Sequence, residues 1–190
     1  MDTEKLAAVC ARVDALLREH TRVLLAIDGM SGAGKTVLAS QLAQKYNANV
    51  FHIDDFFLRS EQRTPQRMAE TGGNVDRERF AAEVLTPLQK GVPFRYTPFA
   101  CGTKQLAAQV VAVQPKQVEI VEGVYSHHPA FGNAYTLRVF CSITSKAQQA
   151  NILHRSGAAK LARYNAEWIP LENAYFTAFQ IPQKADMVLK

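Results

Sequence analysis

The 190-residue chain has few cysteines, one tryptophan and no long apolar run, and each shortage closes off a class of protein. Its three cysteines, Cys10, Cys101 and Cys141, lie far apart, and no C-x-x-C spacing occurs. A zinc knuckle or a disulfide framework is therefore not what organises the fold. No stretch approaches the roughly 18 apolar residues that a membrane-spanning helix needs. The N-terminus, Met1-Asp2-Thr3-Glu4-Lys5, is polar, and no apolar signal core follows it. The expectation is a soluble cytoplasmic protein with reduced thiols and no membrane partner. There is also no internal repeat, low-complexity tract or Pro/Gly/Ser linker, so residues 1–190 read as one domain.

Acidic residues are missing from one long segment. Between Val84 and Ala166 the only acids are Glu119 and Glu122, against Lys90, Arg95, Lys104, Lys116, Arg138, Lys146, Arg155, Lys160 and Arg163. The whole chain carries a net charge of +5. Such a field suits a partner rich in negative charge, a polyphosphate or a nucleic acid, or else is simply a solvated basic surface. No K/R-rich block and no RNP-type aromatic signature is present, so nucleic acid is not the expected partner.

What the chain does have is ordinary globular composition, 47% hydrophobic and 21% charged, enough to bury a sizeable core. Leu6, Val9, Val13, Leu16 and Leu17 fall at helical spacing over residues 3–19. Val23 to Ile27 is a short apolar run of the kind that forms a buried parallel strand. A Gly-rich turn leads into a helix from about Gly34 to Tyr46. Strands are expected at Asn49 to Ile53, Gln117 to Val121 and Thr136 to Ile143, with a last short one at Met187 to Leu189. A helix over 76–90 starts on Asp76 as N-cap and stops at Gly91. An irregular hairpin fills about 92–114. Residues 144–180 read as helical, with breaks near Gly157 and Pro170. Strands alternating with helices imply an α/β fold with a largely parallel sheet.

The strongest motif is Gly29-Met30-Ser31-Gly32-Ala33-Gly34-Lys35-Thr36, a G-x-x-x-x-G-K-[ST] phosphate loop. Its glycines let the backbone curl so that successive N–H groups face phosphate oxygens. The helix that follows adds the positive end of its dipole. Lys35 brings a compact charge to the β- and γ-phosphates, and the Thr36 hydroxyl suits Mg²⁺. A chance match in a chain of this length is roughly a one-per-cent event, and the strand before and helix after lower it further. No N-K-x-D motif for reading guanine is present. A short chain with a basic helical segment near its end fits a small-molecule kinase with a mobile lid better than a motor ATPase.

Two strands should end in carboxylates at the ligand-binding edge of the sheet. Phe51-His52-Ile53 runs into Asp54-Asp55, and Val118 to Val121 runs into Glu122-Gly123. Phosphoryl transfer to an alcohol needs a proton acceptor and a carboxylate near Mg²⁺; Asp54 suits the first task, with Asp55 either its alternative or a turn cap, and Glu122 suits the second. His127-His128 is a poor ligand pair, because adjacent side chains diverge. Arg63 and Arg67 face one way if that segment is helical, toward an anionic acceptor or toward water.

These segments stand in a familiar order. Ile27 through Thr36, then Phe51 to Phe57, then Gly72-Gly73-Asn74-Val75-Asp76, then Glu122-Gly123-Val124-Tyr125-Ser126 resemble the uridine kinase-like proteins, a group that includes phosphoribulokinase and pantothenate kinase. The resemblance runs from about Arg22 to Leu189. It implies an α/β P-loop NTPase three-layer sandwich with a mostly parallel five-stranded sheet, a small β-hairpin acceptor region at about 92–114 and a helical lid at about 154–167. It implies a Mg²⁺/ATP-dependent phosphotransferase acting on a hydroxyl of a nucleoside-like small molecule. Gly29, Ser31, Gly32, Ala33, Gly34, Lys35 and Thr36 then bind ATP, and Thr36 and Glu122 hold the metal. Asp54 is the base, Asp76 holds ribose hydroxyls, and Phe57 and Tyr96 line the acceptor site. Arg155 and Arg163, with Lys160, are the lid's cations.

The sequence departs from that pattern at one point. Uridine kinases read the base with a Tyr and a His on the hairpin; Tyr96 matches the Tyr, but Thr97 to Thr103 contains no His. Acceptors other than uridine, such as pantothenate or a sugar phosphate, therefore stay open, as does a nucleotide-binding regulator without turnover. A homo-oligomer is neither required nor excluded.

Overall fold

A computed structural model describes residues 3–190. Along the chain, α1 (Thr3–Glu19) leads into β1 (Val23–Gly29), α2 (Lys35–Tyr46) and β2 (Asn49–His52). A short helix, α3 (Pro65–Ala69), precedes α4 (Arg77–Phe80) and α5 (Thr86–Lys90), which a π-type turn at Ala81–Leu85 joins into one helix over 77–90. Then come β3 (Phe94–Tyr96), β4 (Phe99–Ala100), β5 (Gln105–Leu106), β6 (Val111–Val113), β7 (Val118–Glu122) and β8 (Leu137–Cys141). The chain continues through α6 (Ser145–Arg163), a π-type turn at Tyr164–Trp168, α7 (Ile169–Phe179), α8 (Ile181–Lys184) and β9 (Met187–Leu189). No helix among the described residues is long and apolar enough to cross a membrane.

The central sheet runs β2-β7-β1-β8-β9 with every pairing parallel. Its middle strand shows why. All seven residues of β1 are buried, so both faces must be covered. Alternation then sorts the side chains into two layers. Val23, Leu25 and Ile27 pack with Val9, Val13 and Leu16 of α1 and Leu38 and Leu42 of α2. Leu24 and Ala26 face the other way, toward Phe80, Val84, Leu88, Tyr175 and Phe176. Each fully buried Leu or Ile contributes about 1.5–3 kcal/mol, so these two layers hold the sandwich together.

The start and stop of the helix over 77–90 follow from two residues. Asp76 Oδ1 accepts from Arg79 N at 3.1 Å as a side-chain cap, and Gly91 turns left-handed at φ 66° to end it. Between β3 and β6 the chain forms two antiparallel ladders, Phe94–Tyr96 against Val111–Val113 and Phe99–Ala100 against Gln105–Leu106. The Asn49 amide at the start of β2 donates to Gln114 O just past the first ladder, and the second ladder lies against the turn that follows β2, where Phe57 meets Phe99.

Candidate active site

Strands β1, β2 and β7 finish side by side, with Ile27 opposite Glu122 and His52 opposite Glu122. That edge carries the phosphate loop. Gly29 takes φ 138° and lies so close to β8 that a Cβ would sit 2.1 Å from the Cys141 carbonyl oxygen. Gly34 takes φ 84° at the N-cap of α2 and brings no side-chain cap. The first-turn N–H groups of α2 are left for a ligand, and the glycines keep side chains out of the cradle. Lys35 is buried, and its ammonium donates to Gly29 O at 2.7 Å and Met30 O at 3.0 Å. Asp28, fully buried, accepts from Gly29 N, His127 N and the Tyr175 hydroxyl at 2.7, 2.9 and 2.8 Å, which fixes where the loop leaves β1. A loop of this shape offers backbone donors, one cation and a helix dipole to a polyphosphate.

Glu122 ends β7 in the buried edge of the same site. Its Oε1 accepts from the Thr36 hydroxyl at 3.2 Å and meets His52 Nδ1 at 2.6 Å. Among the described residues no group of three or more His, Cys, Asp and Glu is placed to hold a metal ion alone. Thr36 and Glu122 nevertheless bring a hydroxyl and a carboxylate together, the hard oxygen donors that Mg²⁺ takes from a protein when phosphates and water complete its shell. The residues therefore fit the metal. The Glu122 carboxylate holds the His52 imidazole above its usual range against the opposing effect of burial. His52 had no place among the sequence expectations; its position one residue before Ile53, on the strand that delivers Asp54, was the only available signal.

Asp54 lies in a turn of 3-10 helix, Ile53–Phe56, directly after β2, open to solvent on one side but otherwise surrounded by protein atoms of the site. The protein around it pushes its pKa up, mainly by desolvation and then by the Glu122 charge, with Lys35 and His52 pulling the other way. Asp55 is also raised, by desolvation first, with His52 and Arg79 opposing. Both carboxylates feel Glu122 and His52; Lys35 acts on Asp54 and Arg79 on Asp55. Tyr125, at φ 76° three residues past Glu122, also has its pKa raised, chiefly by burial and then by the charges of Glu172, Asp28 and Asp54.

The acceptor side is less open than the resemblance implies. Tyr96 is 6% exposed and packs on Phe56 and Phe51 with ring centroids 5.4 and 6.0 Å apart. Asp76, 4% exposed, already accepts from Gln62 Nε2 at 2.8 Å besides capping its helix, and Arg79 Nε stands 3.6 Å away. Phe57 bridges to Val75 and meets Phe99 edge-on at 6.3 Å. Arg63 and Arg67 do not share a helix, because Arg63 ends the turn Ser60–Gln62 and α3 starts at Pro65. Arg67 is tied by two bonds to Glu78 at 2.9 and 2.8 Å and by two more to the Gly73 and Val75 carbonyls. The adjacent histidines go separate ways: His127 is buried over Ala26 O, and His128 stacks on Tyr175 and touches Arg77.

The basic segment near the end of the chain kinks where Gly157 leaves helical geometry at φ 79°, ψ 170°. Arg155 bonds the Tyr164 hydroxyl at 2.9 Å, and Arg163 pairs with Glu167 at 3.0 Å over the Trp168 ring. Both guanidiniums are exposed. On either side of this span the helices grip the phosphate loop. Gln148 and Asn151 of α6 donate to the Ser31 and Gly32 carbonyls at 3.1 and 3.0 Å, and Glu172 of α7 takes both the N–H and the hydroxyl of Ser31. None of these three was visible in the sequence, since nothing in a helical pattern says which polar residue will reach a loop more than 110 positions away. A recess of about 240 Å³ at the opposite end of the sheet is lined by Arg22, Leu88, Glu119 and Thr136, away from all of these groups.

Fold and loop together define an α/β P-loop protein. Neither a protein-family model nor a curated protein matches the chain. Solved structures do. A Bacillus stearothermophilus protein described as a possible uridine kinase aligns with 96% of this chain and 100% of its own, at TM-score 0.68 and 19% identity. A Silicibacter protein described as a candidate fructose transport system kinase aligns over 97% and 98%, at TM-score 0.77 and 23% identity. D-glycerate 3-kinase from Cryptococcus neoformans aligns over 88% and 87%, at TM-score 0.63 and 14% identity. The chain has the P-loop kinase fold that these proteins share, with a five-stranded parallel sheet flanked by helices.

Proposed function

We propose that the protein is an ATP-dependent small-molecule kinase that phosphorylates a hydroxyl of a nucleoside-like acceptor. The observation that carries the reading is the meeting at one sheet edge of the phosphate loop, the Thr36–Glu122 oxygen pair and an Asp54 of raised pKa. In this reading the N–H groups of Gly32 to Thr36 and the Lys35 ammonium hold the donor's phosphates. Mg²⁺, held by Thr36 and Glu122 with the phosphates, supplies charge neutralisation on the group being transferred. Asp54 takes the proton of the acceptor hydroxyl as its oxygen bonds to the γ-phosphorus and the bond to the β–γ bridging oxygen breaks, leaving ADP. A carboxylate with a raised pKa is a stronger base, which suits that step. Arg155 and Arg163, carried on the lid, add charge when the lid closes. Phe57 helps to keep water from the acceptor.

Asp76 would meet acceptor hydroxyls only by sharing the oxygens it gives to Gln62 and Arg79. A second reading, another hydroxyl-bearing metabolite such as pantothenate or a sugar phosphate, is favoured by Tyr96: its ring is committed to the aromatic core and the hairpin has no His beside it. The test is ADP release with Mg²⁺-ATP against nucleosides, pantothenate, sugar phosphates and small polyols, with Asp54→Asn alongside. The expected result is one acceptor class that stimulates the wild type, with turnover about 10²–10⁴-fold lower in the variant and ATP affinity nearly unchanged. A variant with wild-type turnover refutes the base. A flat panel with intact ATP binding supports a regulator instead.

A further inference from the structure

The crest of the phosphate loop is held from outside by three side chains of unequal kind. Gln148 and Asn151 are neutral amides that give hydrogen bonds to the Ser31 and Gly32 carbonyls. Glu172 is a carboxylate, in the first turn of α7 and 5% exposed. Its Oε2 accepts from Ser31 N at 3.0 Å, and its Oε1 accepts from the Ser31 hydroxyl. A loop built to collect phosphate oxygens thus already spends one backbone N–H and one hydroxyl on an anion of the protein itself. Burial pushes the Glu172 pKa up, and the two Ser31 bonds and the Lys35 charge pull against it. If anchoring were all that position required, an amide would do, as it does at 148 and 151. What the carboxylate adds is charge.

We propose that Glu172 sets the affinity for the phosphate donor, as a fixed negative charge on the phosphate loop that opposes the polyphosphate and keeps it from being held too tightly to turn over. The proposal rests on the phosphate-binding reading of Gly29 to Thr36. It follows the rule that binding a ligand more tightly than the reaction needs slows its release without helping the chemistry. Because the effect is electrostatic, it acts on the phosphates, not on the base, and it weakens as salt rises.

Isothermal titration of the full chain with Mg²⁺-ATP and with inorganic tripolyphosphate, at low and high salt, tests it. Glu172→Gln keeps an oxygen for Ser31 N and removes the charge. Both ligands should bind this variant about tenfold more tightly than wild type at low salt, the size expected of one unit charge a few ångströms away at high effective dielectric. The gap should narrow at high salt. Glu172→Ala should move affinity in the same direction, which keeps the test alive if the Gln variant is unstable by thermal melting. Wild-type affinity in Glu172→Gln together with weaker binding in Glu172→Ala would mean that the residue only anchors Ser31, and overturns the proposal alone. Failure of wild type and variants alike to bind tripolyphosphate and ATP overturns the phosphate-loop reading, and this proposal with it.

Discussion

Replacing Gly29 by alanine tests the join between fold and site. The added Cβ would lie 2.1, 2.6 and 2.8 Å from the carbonyl oxygen, nitrogen and carbon of Cys141. All three are backbone atoms of β8, so no rotamer change relieves the clash. Either β1 and β8 separate at Gly29 and Cys141, which endangers the Met30 N to Cys141 O bond of 3.0 Å, or the loop leaves its φ of 138°. Overpacking of this kind costs about 1–3 kcal/mol and a strained backbone region about 1–3 more, so a loss of about 2–6 kcal/mol is expected. At about 2–4 °C per kcal/mol for a chain of this size, the melting temperature should fall by roughly 4–24 °C. Gly32→Ala is the control. Its Cβ meets nothing nearer than Ile152 Cγ1 at 3.4 Å, so only its left-handed φ of 78° is penalised, at about 1–2 kcal/mol. Scanning calorimetry reads both, and titration with ATP reads the site. If Gly29→Ala melts no lower than Gly32→Ala, the close approach of the loop to β8 is not what demands glycine there, and the packing argument fails.

Two further outcomes follow from the carboxylates. Removing the imidazole with His52→Ala frees Glu122 Oε1, now held at 2.6 Å, and should weaken Mn²⁺ binding in the presence of ATP about tenfold, read by electron paramagnetic resonance. His52→Asn, whose amide nitrogen can take the place of Nδ1, should restore most of it, and equal affinity in all three proteins counts against a positioning role. In the proposed reaction Asp54 must be ionised to accept a proton, so the pH profile of kcat/KM reports on it. Activity should be full above its raised pKa and be lost as pH falls through it, so the acid limb should lie above the roughly 3.9 of an ordinary aspartate. A limb at or below that value is incompatible with Asp54 as the base in the field of Glu122.

Local signals carried most of the architecture. The apolar run Val23 to Ile27, the glycines of the loop and the Asp76 and Gly91 caps each act within a few residues, and the structure places β1, the loop and the helix over 77–90 where those signals put them. The kink at Gly157 was legible for the same reason, since a glycine in a helical pattern is a local event. What stayed hidden depends on contacts distant in sequence. The π-type turns at Ala81–Leu85 and Tyr164–Trp168 each run into a proline, Pro87 and Pro170, and only the second falls beside an expected break. Tyr96 and Asp76 are of the right type for recognising an acceptor, yet packing against Phe56 and bonding to Gln62 engage them within the protein. The pairing of Arg63 with Arg67 assumed one helix, and Pro65 begins a new one between them. His52 and Glu172 owe their interest entirely to what they touch across the fold.

The two footings of the span between α6 and α7 have an architectural consequence. Gln148 and Asn151 stand three apart on α6, so they share a face, and Glu172 opens the first turn of α7; all three land on the neighbouring residues Ser31 and Gly32. Loop, α6, the span and α7 therefore close into a ring, like a strap buckled at both ends to one post. In such a ring the tolerance for insertion is uneven. Residues added within 158–168 lengthen the strap and leave both buckles in place. A single residue added between 148 and 151 turns one amide by about 100° around the helix, away from the loop. Length is free to vary in the span between the two buckles, and register is fixed in the part that holds the phosphate loop in shape.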